Sequence, residues 1–197
     1  MIDEFRERYE HGKHIIDNCP MGFRIRKLTK QTPEDLEAQC VAVAELADEI
    51  WHEHFIPIIG APQVDYMVKK FQSAERIYAS IKEEGYVYLT ATSIEEDRLV
   101  GYCGAVPEEG RLFLSKLYVH RDFRGRGIAR CFLDDLIAMC RQEYGLAVIR
   151  LTVNKYNESA IATHLRNGFT IVDSVTVDIG GGFFMDDYVM ELSLSKF

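Results

Sequence analysis

A chain of 197 residues suits one ordinary domain, and its 47% hydrophobic, 11% aromatic and 27% charged residues give a globular composition that excludes disorder, collagen and low-complexity scaffolding. The formal net charge of −8 excludes a protein held on nucleic acid by phosphate contacts, because its mean field repels a polyanion. No apolar stretch approaches the roughly 20 residues of a membrane-spanning helix, and Met1 to Cys19 is charged and polar, unlike a signal peptide, so no membrane partner and a cytoplasmic location are expected.

Residues 1–20 show helical spacing without an apolar face and read as an arm, leaving 21–197 as a single domain. G-F-R-I-R-K-L from Gly22 alternates apolar and polar side chains as a half-buried strand does. Thr32-Pro33-Glu34-Asp35 then starts a helix with Thr32 as N-cap. Leu36, Cys40, Val43, Ala44, Ala47, Ile50, Trp51 and Phe55 form its apolar stripe, which should end before Pro57. A second helical stretch covers about 63–84, and after Gly85 three strand-like runs separated by E-E-D and P-E-E-G predict an antiparallel meander. The loop R-D-F-R-G-R-G leads into a helix carrying Ala129, Phe132, Leu133, Leu136, Ile137 and Cys140. L-A-V-I-R-L-T-V after Gly145 is a strand covered on both faces. Asn157 caps a short helix to about Asn167, and two strands close the chain as a hairpin around Gly180-Gly181-Gly182. The expected fold is α/β of mixed type, a mostly antiparallel sheet of about seven strands with helices on both faces. At its centre is a parallel strand-helix-strand unit from 111 to 153.

The five cysteines form no C-x-x-C pair, and neither H-G-K-H nor W-H-E-H has the H-E-x-x-H spacing, so buried reduced thiols and no metal site are expected. Arg121, Arg124, Arg126 and Arg130 sit within ten residues in an otherwise acidic chain. Arg124-Gly125-Arg126-Gly127 joins two glycines, which let the backbone turn sharply, to two permanent charges at the start of a helix. The helix N-terminus favours an anion such as pyrophosphate, although a tight basic turn would read the same.

Leu117-Tyr118-Val119, Arg124-x-x-Gly127-x-Ala129, Leu151-x-Val153-x-x-x-Asn157-x-x-Ala160 and Gly168-Phe169 occur in that order. Together they resemble the GNAT superfamily of acyl-CoA-dependent N-acetyltransferases. The resemblance follows the element order over 22–194, is motif-specific over 112–169, and is nearest to a bacterial subgroup.

It implies acetyl-CoA as co-substrate and no metal. It also implies a cofactor site at Leu117, Tyr118, Val119, Arg124, Gly125, Arg126, Gly127, Ile128, Ala129 and Asn157. The pantetheine arm would lie between two splayed strands, against the backbone of Leu117 and Val119, with the pyrophosphate on 124–129. Asn157 would face the pantetheine, cap its helix, or do both.

Among catalytic groups, the Val119 N–H would hold the oxyanion, and His164 stands where the superfamily usually places a tyrosine that protonates the departing thiolate. A core histidine is the competing reading. Where many relatives carry a carboxylate before L-Y-V, Phe113, Leu114 and Ser115 stand here, leaving Glu108, Glu109 or Glu53 as candidate bases through water. Asp186 and Asp187 read as a solvated turn or an attractor of a cationic amine. The expected activity is acetyl transfer to a primary amine of a small molecule or peptide by direct attack in a ternary complex. The alternative is a catalytically silent acyl-CoA-binding module acting through a protein partner, and a homodimer is a further open expectation.

Overall fold

The computed structural model describes residues 22–28 and 32–194. The expected arm over 1–20, with Cys19, His11 and His14, lies outside them. Strand β1 (Phe23–Lys27) is followed by helix α1 (Pro33–Ile59), which opens as its sequence predicts: the Thr32 hydroxyl accepts the Asp35 N–H at 3.1 Å. The helix does not stop before Pro57. A proline two residues from the helix end forfeits only the bond to the Glu53 carbonyl, and Ile58 and Ile59 gain packing against the core by continuing.

The single helix read over 63–84 is two, α2 (Ala61–Phe71) and α3 (Ala74–Glu83). Ser73 leaves the helical conformation and its hydroxyl accepts the Arg76 N–H at 3.2 Å, a cap that apolar periodicity does not register.

Next come β2 (Val87–Ser93), β3 (Arg98–Glu108) and β4 (Arg111–Val119), the expected meander. Helix α4 (Ile128–Met139) crosses to β5 (Val148–Asn154), then α5 (Glu158–Arg166) leads to the hairpin of β6 (Thr170–Gly180) and β7 (Phe183–Ser193). The sheet has seven strands in the order β1-β2-β3-β4-β5-β7-β6, and β4–β5 is its parallel pair.

Strand alternation sends side chains to two cores. Val87, Leu89 and Ala91 face α4, where Ile128, Phe132 and Leu136 are all but fully buried. Tyr88 and Tyr102 face α1–α3 among Leu36, Ile50, Trp51 and Ile77. Cys40, Cys103, Cys131 and Cys140 are buried, and burial raises the Cys103 thiol far above its ordinary range, which removes it as a nucleophile. Among the described residues no helix is long and apolar enough to cross a membrane, and no group of three or more His, Cys, Asp or Glu could hold a metal ion.

Candidate active site

Two irregularities in β4 build the site. Opposite β3, Leu114 pairs with Ala105 and Lys116 with Gly104, so Ser115 is the extra residue of a β-bulge. The bulge reverses the alternation. Leu112 and Leu114 face α4 before it, Leu117 and Val119 face α4 after it, and Lys116 and Tyr118 are delivered to the α1–α3 face.

On its other edge, β4 pairs with β5 only at Leu112–Ile149 and Phe113–Arg150, after which the strands part. The His120 N–H donates to the Val100 carbonyl on β3 at 2.8 Å, so by period-two alternation the N–H groups of Leu117 and Val119 point away from β3, into the gap. The expected splay is therefore present, with backbone donors facing it.

At the end of the gap, Gly125 and Gly127 take φ of +76° and +86°, the left-handed region, and Gly127 is the N-cap of α4. The first amides of α4 have no intrahelical acceptor and face outward with the positive end of the helix dipole. The basic loop is partly neutralised. Arg124 donates to the Val119 carbonyl at 2.9 Å and to Glu53 at 2.9 Å, Arg130 pairs with Asp134 at 2.9 Å, and the Arg126 guanidinium lies 4.9 Å from the Phe123 ring centre. Glu53 is thus an ion-pair partner and not the base considered from the sequence. Glu108 is held by Arg111 at 2.9 Å, and it and exposed Glu109 lie outside both cavities.

Two cavities meet across this gap. One, of about 450 Å³, is lined by Val119, Arg124, Gly125, Gly127, Ile128 and Ala129. The other, of about 380 Å³, lies under α1–α3 and is walled by Trp51, Met67, Phe71, Lys116, Thr152 and Asp187. Phe55, Leu117, Tyr118, Asn157, Ala160 and His164 line both and form the waist between them. Trp51 packs at 4.5 Å on Phe55 and 5.6 Å on Tyr118, which makes the wall at the waist aromatic and rigid.

Asn157 is buried, and its Oδ1 accepts the Ala160 N–H at 3.3 Å as the α5 N-cap. His54 Nε2 lies 3.2 Å from the same oxygen and must be the donor, since Oδ1 is already an acceptor. The Asn157 amide nitrogen makes no hydrogen bond among the described residues, so capping leaves that donor free for a ligand.

His164 faces the waist with its ring edge against Phe169, centroids 5.6 Å apart. It is partly buried within a concavity, and that desolvation lowers the imidazole to about 4. At neutral pH it is an uncharged hydrogen-bonding group, which revises the imidazolium acid expected from the sequence.

Asp187 is not part of a solvated turn. It is 6% exposed on β7, lines the inner cavity, and burial raises its carboxyl to about 6, with Asp186 adding to the rise while Thr152 and Lys155 oppose it. Asp186, its neighbour, is taken up by Lys155 and Thr176. Sequence reasoning missed His54, Lys116 and the burial of Asp187. A visible signal for Lys116 was the phase change between Leu112/Leu114 and Leu117/Val119, which marks the bulge.

Among solved structures, the PaiA N-acetyltransferase from Thermoplasma acidophilum, solved in complex with coenzyme A, is 19% identical with a TM-score of 0.71 over 88% of this chain and 99% of that one. A GCN5-related N-acetyltransferase from Rhodopseudomonas palustris is 19% identical with a TM-score of 0.67 over 92% and 100%. The yncA acetyltransferase of Salmonella typhimurium, solved with its cofactor acetyl-CoA, is 20% identical with a TM-score of 0.58 over 89% and 96%. At these identities the likeness speaks for the fold. No curated protein is a match. The model of the Acetyltransferase (GNAT) family matches residues 43–169, from the middle of α1 to the phenylalanine that follows α5 and so across the bulge, the gap and the glycine loop. That span is more than half of the sequence, and the chain belongs to the GNAT acetyltransferase family.

Proposed function

We propose that this protein transfers an acetyl group from acetyl-CoA to a primary amine of a small molecule or peptide, by direct attack in a ternary complex. The observation that carries the reading is the junction of two cavities at Leu117, Tyr118, Asn157 and His164: one ends on a helix N-terminus suited to phosphates, the other is a walled space for an acceptor. Family membership and the coenzyme A and acetyl-CoA carried by two structural neighbours support the choice of co-substrate. Acetyl-CoA supplies an activated thioester whose thiolate is a competent leaving group.

In this reading the amides of 124–129 receive the pyrophosphate, with Gly125 and Gly127 allowing the backbone to approach it and Arg126 adding charge at the rim. The Leu117 N–H and the free Asn157 amide nitrogen bind the pantetheine arm. The Val119 N–H donates to the thioester carbonyl oxygen, an interaction that strengthens as charge develops there. Asp187 takes the proton from the attacking amine, since a carboxyl at about 6 is ionised at neutral pH and still basic enough to accept it. His164 donates a hydrogen bond to the departing sulfur as a neutral imidazole, and solvent provides the thiol proton.

Calorimetric titration with acetyl-CoA tests the site. Gly127→Val, which forces a β-branched side chain into the left-handed region at the pyrophosphate, is expected to abolish binding while the protein still melts cooperatively. Undiminished affinity in that variant overturns the assignment.

A further inference from the structure

Tyr88, Gly104 and Lys116 lie in one row across β2, β3 and β4, each the register partner of the next, on the face covered by α1–α3. A Cβ at Gly104 would sit 3.1 Å from the Tyr88 ring and 3.3 Å from Lys116 Cδ. Glycine at that position is what lets the lysine stem lie flat across the sheet with its head in the inner cavity.

Lys116 is only 9% exposed. Its ammonium lies 5.2 Å and 5.6 Å from the ring centres of Tyr86 and Tyr88 and 3.4 Å from the Ser115 hydroxyl, and among the described residues no carboxylate is within ion-pairing distance. Glu84, the acid on this side, gives both of its oxygens to Arg76, which lines the same end of the cavity. Arg76 therefore takes the one nearby carboxylate, and Lys116 is left without it. Burial, reinforced by Arg76, lowers Lys116 to about 8, so the ammonium is still charged at neutral pH.

A buried ammonium without a counter-ion is costly, and two aromatic faces offset only part of that cost. An anionic group on a bound ligand would complete it. Asp187 stands on the opposite side of the cavity, on β7 beside Thr152 of β5, while Lys116 is flanked by β2 and α3. The cavity thus has an acidic group at one side and a basic group at the other.

We propose that the acceptor is a small amino carboxylate, its carboxylate held by Lys116 and its amine turned toward Asp187. The proposal rests on the acetyl-transfer reading and names the substrate class of that same site. Such a molecule is a zwitterion, so the net charge of −8 does not repel it as it would a polyanion.

The test compares matched acceptor pairs, amino acids against their decarboxylated amines and dipeptides against their C-terminal amides, in the parent protein and in Lys116→Met, which keeps the unbranched stem and removes the charge. Melting curves check that the variant is folded. The expected result is a KM for the carboxylate-bearing member raised at least about tenfold in Lys116→Met, with kcat changed less than about twofold and the KM of its cationic, carboxylate-free partner not raised. Free amino acids responding and dipeptides not responding assigns the carboxylate to the free acid, and the reverse assigns it to a peptide terminus; either supports the subsite. Equal KM changes for both members of every pair, or a parent protein that prefers the decarboxylated amines, overturns the proposal.

Calorimetry of the same compounds on the coenzyme A complex separates the two ideas. Carboxylate-dependent binding that disappears in Lys116→Met supports the subsite even where no acetyl transfer occurs, and it is then the transfer reading that fails. No carboxylate-dependent binding overturns the proposal whatever the turnover.

Discussion

A carboxyl held at about 6 titrates within the range where enzymes are assayed, and Asp187 is such a group because β7 buries it between Thr152 and the cavity. Below that value it is protonated and cannot accept a proton; above it the carboxylate is available. Activity is therefore expected to rise with pH through about 6 and level off, and Asp187→Asn should lose at least about a hundredfold in kcat together with this limb. In a pH–rate series, His164→Phe should lower kcat while leaving the limb where it is, because an imidazole held at about 4 is already neutral on both sides of it. A limb that moves with His164 and not with Asp187 would reverse the two roles. The environment of Asp187 could not be read from the chain, because D-D in a hairpin looks solvated until β7 pairs with β5. His164 was expected on the cofactor or core side of its helix, and it lines the gap that α5 closes over.

The elements themselves were largely legible, because their signals are local. Thr32 and Asn157 cap the helices they were expected to cap, and the apolar stripe from Leu36 to Phe55 is buried except at half-buried Ala44. What the pattern did not carry were events that cost one hydrogen bond or one residue: the passage of α1 through Pro57, the cap at Ser73, and the bulge at Ser115. The bulge matters most, since it sets which face receives Lys116 and Tyr118.

At α5, capping and ligand binding are assigned to different atoms of one side chain, and substitutions separate them. Asn157→Asp keeps the capping oxygen and, as an acid at a helix N-terminus, should leave the melting temperature unchanged while raising the KM for acetyl-CoA about tenfold through loss of the amide donor. Asn157→Ala should cost about 1 kcal/mol of stability as well. A normal KM in Asn157→Asp would confine this residue to its cap and to the bond from His54.

Over the whole molecule, the sheet separates two tasks. Its α4 face forms the core that holds the glycine loop, and its α1–α3 face forms the chamber on the other side of the gap. The order of elements along the chain and the resemblance in the glycine loop could be read ahead of the structure because they depend on sequence spacing. The chamber could not, because its lining comes from α1, α2, α3, β4, β5, α5 and β7, residues brought together only by the fold. Net charge was a poor guide to it: an acidic chain places a buried lysine at the end of its inner cavity.

Transfer of an acetyl group from a thioester to an amine at the junction of the two cavities is checked by following thiol release from acetyl-CoA across a panel of amines, with the N-acetylated product identified by mass. The expected result is release that requires an amine, yields one acetylated product per thiol, and disappears in Asp187→Asn. Acetyl-CoA that binds tightly yet releases thiol no faster with any amine than with water would contradict it.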